Sequence, residues 1–197
     1  MTPAPTIRPA RGEELEAILA MQRRSLRAGG AEKVDRGLME AALAQMGTMD
    51  PRLIGDGTYL VAEIAGALAG SVGWTLRPPL FGKLMRPALP PLATRSGGVR
   101  NIYVDPCFTG HGLARRLMAS VEIQLAAAGL AMAEVITPPY AVPLYEMLGF
   151  RLAGEHVVEL AGGFEFPLSR MERSLLPLPA AAGAAFRPAG PDPSGVV

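Results

Sequence analysis

A chain of 197 residues is long enough for one domain with a substantial core, and its 49% hydrophobic content separates it from disordered chains. A formal net charge of +1 gives no general case for nucleic acid or an acidic membrane as partner. The lone Cys107 excludes an intramolecular disulfide and a cysteine-cluster metal site, and His111 and His156 are too few for a histidine-ligand site. The N-terminus carries no apolar signal-peptide core, and no stretch reaches the roughly 18 consecutive apolar residues of a membrane span. The sequence therefore predicts a cytoplasmic domain without a metal centre.

Residues 6–8 predict a short edge strand limited by Pro5 and Pro9. A helix over 12–26 follows, with Glu13, Glu14 and Glu16 at its start and Arg23, Arg24 and Arg27 near its end, and Gly29-Gly30 should break it. A second helix over 34–46 puts Val34, Leu38, Ala42 and Met46 on one stripe. Residues 58–64 and 67–76 predict an antiparallel hairpin across Ala65-Gly66. Within it Gly70 or Gly73 can mark a bulge, Glu63 reads as solvated, and Trp74 as core or cleft wall.

The segment 77–98 is proline-rich and aperiodic, the pattern of a lid, a binding loop or a disordered segment. From Ile64 through Val104 there is no Asp or Glu, while Arg77, Lys83, Arg86, Arg95 and Arg100 are present. That field either draws in an anionic cofactor or carboxylate-bearing substrate, or only solubilises a loop. Residues 99–104 predict a strand ending at Pro106, and Gly110 and Gly112 then lead into a helix over 112–128. Such a junction offers unpaired N–H groups to an anion, and Arg115 and Arg116 sit in a first turn where cations oppose the helix dipole. A plain strand–helix connection is the other reading. Residues 131–137 should pair in parallel with 99–104 through a right-handed crossover. Pro143 opens a short helix over 144–148, and a last hairpin joins 150–160 to 164–174 across Gly162-Gly163, with His156 on its surface. Residues 1–176 form the domain, and 177–197 read as a flexible Pro/Ala/Gly-rich tail.

Three runs taken together carry a resemblance: Ile102-Tyr103-Val104-Asp105-Pro106, Gly110-His111-Gly112-Leu113-Ala114, and Pro143-Leu144-Tyr145-Glu146-Met147-Leu148-Gly149-Phe150. In this order, with one helix and one strand between the second and third, they resemble the GNAT N-acetyltransferase superfamily from about Thr6 to Leu175. The resemblance implies a mixed α/β (α+β) single domain. Its mixed, mostly antiparallel sheet of six to seven strands splays between the fourth and fifth and is flanked by about four helices. It implies acetyl-CoA as co-substrate, with the pyrophosphate held by the loop Thr109, Gly110, His111, Gly112, Leu113, Ala114 and Arg115. Ile102, Tyr103 and Val104 would bond the pantetheine arm, the Val104 N–H would meet the thioester carbonyl, and Tyr145 would touch the cofactor and protonate the departing thiolate. Cys107 stands where the family signature has Arg or Gln, and Tyr140 where many members have Asn.

Beside the resemblance, Glu134 is the candidate general base, with a structural ion pair as its other reading, and Tyr103 and Tyr140 can line a water path. Cys107 lacks an adjacent His or Lys for an acetyl-cysteine route. The function expected is N-acetylation of a primary amine on a small molecule, and the acid-free basic segment hints that this molecule carries a carboxylate. A non-catalytic acyl-CoA-binding module and a protein or peptide amine acetyltransferase stay open as alternatives. A homodimer is common in the family, and nothing in the sequence forces it.

Overall fold

The computed structural model describes residues 4–30 and 33–175, so the tail assigned to 177–197 lies outside the described residues. Strand β1 (Thr6–Pro9) leads through a 3-10 turn, Gly12–Glu14, into helix α1 (Leu15–Gly30). This helix absorbs Gly29 and Gly30 in its last turn instead of stopping before them; glycine there costs only about 1 kcal/mol. Helix α2 (Arg36–Met46) starts two residues later than its apolar stripe suggests, because the Asp35 carboxylate accepts from the Leu38 N–H and caps it. A single turn, α3 (Arg52–Gly55), was not foreseen. The hairpin of β2 (Tyr59–Ile64) and β3 (Ala67–Thr75) turns at Ala65 and Gly66, both with positive φ, as a two-residue turn between twisted strands requires.

The proline-rich segment is more ordered than its composition suggests. It contains a 3-10 turn, Gly82–Leu84, and the two-residue strand β4 (Met85–Arg86), and β5 (Ser96–Val104) begins three residues before the expected Val99. Then come α4 (Leu113–Ala127), β6 (Met132–Thr137), α5 (Val142–Met147), β7 (Arg151–Leu160) and β8 (Phe164–Ser174). The sheet has eight strands in the order β1-β2-β3-β5-β6-β8-β7-β4. It exceeds the expected six to seven because β4 pairs with Val157 and Val158 of β7. Among the described residues five helices, not four, surround it, since α3 joins the predicted set.

The faces of the sheet are covered differently. Leu113, Leu117, Met118, Val121 and Leu125 of α4 pack with Trp74, Val99, Val135 and Met171, and each fully buried aliphatic side chain contributes on the order of 1.5–3 kcal/mol. Trp74 is core, as one of the two readings had it, and its indole N–H donates to Gln124 Oε1 at 2.7 Å. A cluster with Ile18, Leu53, Tyr59 and Val61 seats α1 and α3, and another with Ala42, Val158, Leu160 and Phe166 seats α2. β5 and β6 run parallel, with every other neighbouring pair antiparallel, but their ladder covers only Ser96–Val99 against Met132–Val135. Beyond it β6 continues along β8 to Thr137, while β5 continues along β3 to Val104. The sheet opens there, between what are its fourth and fifth strands when the short β4 is set aside.

Candidate active site

The opening has a local cause. Register in the β3–β5 ladder passes from Gly73↔Arg100 to Ser71↔Tyr103, so Asn101 and Ile102 together face one residue of β3. This is a bulge, and Asn101 takes the left-handed conformation at φ 58° that asparagine tolerates better than most residues. The bulge bends β5 away from β6. After it, the Asp105 N–H donates to Ala69 O at 2.9 Å, which fixes the pairing edge. Amides alternate along a strand, so the N–H and C=O of Val104 point to the other edge, into the gap.

At the end of β5, Asp105 is buried and ties the next loop to α1. Its carboxylate accepts from Cys107 N at 3.0 Å and from Arg24 Nη2 at 2.6 Å. Burial alone would push this carboxyl up, but the Cys107 N–H and the Arg24 guanidinium outweigh it and hold it below the usual range. The following 3-10 turn, Pro106–Phe108, leads through Gly110 (φ 78°) and Gly112 (φ 69°) into α4. Among the described residues, none accepts a hydrogen bond from the N–H groups of Gly110, His111, Gly112, Leu113, Ala114 or Arg115; the helix ladder starts at Arg116 N→Gly112 O. Free donors, a helix N-terminus and no Cβ at Gly110 or Gly112 make an anion cradle that no side chain needs to complete. Thr109, His111, Arg115 and Arg116 are exposed around it, the His111 ring bonding the Thr109 carbonyl at 2.8 Å.

The gap opens into a cavity of about 350 Å³ lined by α1, α2, β5, the end of β6, α5 and β8, and by Phe81. Ile102, Tyr103, Tyr140 and Tyr145 line it together. Tyr145 is nearly fully buried, its ring edge-on to Phe150 at 5.5 Å and 84° between planes, and its hydroxyl makes no hydrogen bond to a described residue. Burial, reinforced by the neighbouring phenols of Tyr103 and Tyr140 and opposed by Arg100, pushes the Tyr145 hydroxyl well above the usual phenol range. Tyr103 and Tyr140 are pushed the same way by burial. The rest of the wall is mainly apolar: Leu26, Met39, Leu43, Met46, Ile136 and Leu168. None of the described lining residues is acidic, and Lys33 at the rim is charged.

Glu134 does not join this group. It is buried, accepting from Arg170 Nη1 at 3.2 Å and from Ala93 N at 3.1 Å, and it lines a separate cavity of about 300 Å³ under the proline-rich segment. The structure favours the ion-pair reading of this residue over a general base at the gap. Glu63 is not merely solvated, since it pairs with Arg8 at 2.8 Å. His156 is buried instead of lying on the surface, with Nδ1 2.8 Å from Pro87 O. That contact, β4, the Ala93–Glu134 bond and an Arg77–Asp56 ion pair fasten the segment 77–95 to the body, so it forms a fixed roof in place of a free lid. The basic field is only partly neutralised: Arg77 is paired with Asp56 and Arg86 lies beside Glu159, while Arg95 bonds the Gly129 carbonyl. Cys107 is exposed at the loop with its N–H on Asp105. No group of three or more metal-ligating side chains occurs among the described residues, and no helix there is long and apolar enough to cross a membrane.

Asn101, whose bulge creates the opening, and the lining residues Lys33 and Phe81 were not expected from the sequence. An isolated asparagine inside a strand pattern was the available signal for the first; nothing local marked the others.

An acetyltransferase (GNAT) domain model matches residues 91–166, a span that contains β5, the cradle, α4, β6, α5 and the Tyr145 wall of the cavity. No curated protein matches the chain in sequence. Among solved structures, a GCN5-related N-acetyltransferase from Rhodopseudomonas palustris superposes with TM-score 0.66 at 19% identity, over 89% of this chain and 98% of that one. The PaiA N-acetyltransferase from Thermoplasma acidophilum, solved with coenzyme A, gives 0.60 at 15% identity over 87% and 99%. A phosphinothricin acetyltransferase from Sinorhizobium meliloti, solved with AcCoA, gives 0.57 at 21% over 97% and 95%. At these identities the likeness is one of fold, and it extends over the described chain well beyond the domain match. The sheet opened beside a bulge and the glycine cradle lie within the stretch that the GNAT domain model matches, and the described chain as a whole has the fold of the GNAT N-acetyltransferases.

Proposed function

We propose that the protein transfers an acetyl group from acetyl-CoA to a primary amine of a small molecule, within a ternary complex. The observation that carries this reading is the open edge of β5: Ile102 and Tyr103 line one cavity with Tyr145, whose hydroxyl has no partner among the described residues, and the strand runs on through Val104 toward the anion cradle of Gly110–Arg115. The free N–H groups of the cradle fit the pyrophosphate of acetyl-CoA, and the unpaired edge at Ile102–Val104 fits its pantetheine arm in β-like fashion. Because these are main-chain contacts, Cys107 in place of Arg or Gln leaves them available. The Val104 N–H would stabilise charge on the thioester oxygen. A neutral amine attacks the thioester carbon, the C–N bond forms and the C–S bond breaks. Tyr145 gives its proton to the thiolate and recovers one from the amine nitrogen through water beside Tyr103 and Tyr140. A cavity of about 350 Å³ with Phe81 in its wall supports a small-molecule acceptor over a protein chain. A cytoplasmic setting belongs to the same reading, and the exposed free thiol of Cys107 fits a reducing compartment.

The test follows thiol release from acetyl-CoA with a panel of primary amines, and coenzyme A binding by calorimetry. Turnover with at least one amine is expected, and Tyr145→Phe should lower kcat by roughly 10²–10⁴-fold, the range for loss of a general acid. Coenzyme A binding without turnover on any acceptor would make the protein a binding module; absence of binding would remove the cofactor assignment.

A further inference from the structure

Arg100 is the one cation of the basic segment that lines the inner cavities without a carboxylate partner among the described residues. It leaves β5 one residue before the bulge, and its guanidinium folds back over Gly98, where a Cβ would meet it at 2.6 Å. Among the described residues its only hydrogen bonds go to main-chain carbonyls, Nη1 to Val99 O at 3.0 Å and Nη2 to Arg77 O at 3.2 Å. Its Nε is buried with no acceptor. A buried charge left without a counter-charge or a full set of hydrogen bonds is costly. The burial is strong enough to push even this guanidinium down to about 10, against the pull of Glu134 and Asp50. Those carboxylates are engaged elsewhere, Glu134 by Arg170 and Asp50 by Arg52.

Arg100 also stands at a junction. It lines the cavity of about 300 Å³ that holds Glu134 and also a small cavity of about 50 Å³, which shares Met46, Gly47, Thr48, Phe81 and Asn101 with the main cavity and whose one acidic lining residue among the described residues, Asp50, is paired with Arg52. That side space is large enough for one compact polar group, since a single water needs only about 10–15 Å³ by the same kind of measure. The main cavity between it and Tyr145 is apolar, with no acidic residue among the described lining to receive a second ammonium.

We propose that Arg100 is a specificity-determining residue that binds an anionic group at the far end of the acceptor. The acceptor class is then an elongated primary amine: an amino group at the Val104–Tyr145 end, an apolar body in the main cavity, and a carboxylate or similar anion at Arg100. Val104 and Arg100 stand four positions apart on β5 with the bulge between them, which shortens the run, so the two ends lie on the order of 10 Å apart. That spacing excludes an α-amino acid held by both groups. This inference rests on the acetyl-transfer reading and narrows its substrate.

The probes are ω-amino alkanoates of about four to twelve carbons and the primary alkylamines of the same length, each tested with acetyl-CoA on the full chain. Among the longer members, the carboxylate-bearing amine should have a kcat/KM about tenfold or more above its alkylamine, mostly through KM, as a charge-assisted contact to a buried guanidinium predicts. The short members should show no such gain. Arg100→Gln should bring the ratio close to one, and Arg100→Lys should retain part of it. Equal kcat/KM for the two series in the unmodified protein overturns the proposal whatever the variants do. Loss of the preference on Lys33→Met but not on Arg100→Gln overturns it too, moving the anion to the rim. If no amine of either series releases thiol, it is the acetyl-transfer reading that fails, and this inference falls with it.

Discussion

Tyr145 must give up a proton from a site that keeps phenols protonated. Burial and the neighbouring Tyr103 and Tyr140 raise its pKa far beyond neutrality, so the proton is in place through the whole working range and leaves only toward a stronger base such as a nascent thiolate. The cavity offers no acidic side chain among its described lining residues to act as base. The ionisation that limits the rate should therefore be that of the acceptor amine itself. We expect kcat/KM to rise with pH along the deprotonation of the acceptor, without a fall from loss of the phenol proton below about pH 10, the value for a free phenol. Profiles with two acceptors of different amine pKa test this: the limb should move with the acceptor. A limb fixed between pH 4 and 7 for both would mean a carboxylate or imidazole base. At the cradle, Gly112 begins α4 at φ 69° with open space where a Cβ would go, so Gly112→Ala adds backbone strain without a clash. Strain of about 1–2 kcal/mol should weaken coenzyme A binding by roughly tenfold in calorimetry while the protein still folds cooperatively.

One level up, secondary-structure elements are fastened to each other by a few charged side chains. Arg8 of β1 bonds Glu14 of the first 3-10 turn at 2.6 Å and Glu63 of β2 at 2.8 Å, joining three elements at the sheet edge. The Arg8 guanidinium is the main reason the Glu14 carboxyl falls to about 2 from an ordinary 4.5, with the Arg11 N–H adding to it against a burial penalty. A carboxyl whose pKa is depressed on folding contributes its full stabilisation above its unfolded value, near 4.5, and loses it as pH falls through about 2. Glu14→Gln should thus cost about 1–3 kcal/mol at pH 7, read as a lower urea midpoint, and the difference from the unmodified protein should shrink between pH 4.5 and 2. Only part of this was visible in the chain. Apolar periodicity marked the long helices and strands, and Ala65-Gly66 and Gly162-Gly163 marked the two hairpin turns. Two-residue β4 and one-turn α3 are too short to show a period. His156 turns inward because β7 alternates only from His156 through Val158 to Leu160, its first half being open. At the site, Ile102–Val104, the glycine cradle and Tyr145 are local runs and were legible. Glu134 meeting Arg170, and Arg100 meeting no carboxylate, are outcomes of folding between distant positions that no local pattern records.

The molecule as a whole is two half-sheets joined by a short seam. β1, β2, β3 and β5 form one half, and β6, β8, β7 and β4 the other; the ladder between them is the four-residue pairing of Ser96–Val99 with Met132–Val135. Packing beneath α4 and α5 holds the halves together on one face, through Leu117, Val121, Tyr145 and Phe150. On the open side, the amides of Ile102 and Val104 have lost the partner strand that a continuous sheet would supply. A ligand that bonds this edge and touches β6 and α5 completes the seam, so its binding energy should appear as resistance to separation of the halves as well as of the cradle. Coenzyme A at a hundred times its dissociation constant should add about 2.7 kcal/mol of stability, a rise in Tm of roughly 5–10 °C for a domain of this size. Amide hydrogen exchange resolves where that energy acts. Protection should increase at Gly110 to Arg115, as any cradle-bound anion would cause, and also at Val104 on β5. Inorganic pyrophosphate should protect only the first set. Equal protection of Val104 by both probes would mean that the β5 edge is tightened through the cradle and receives no ligand of its own.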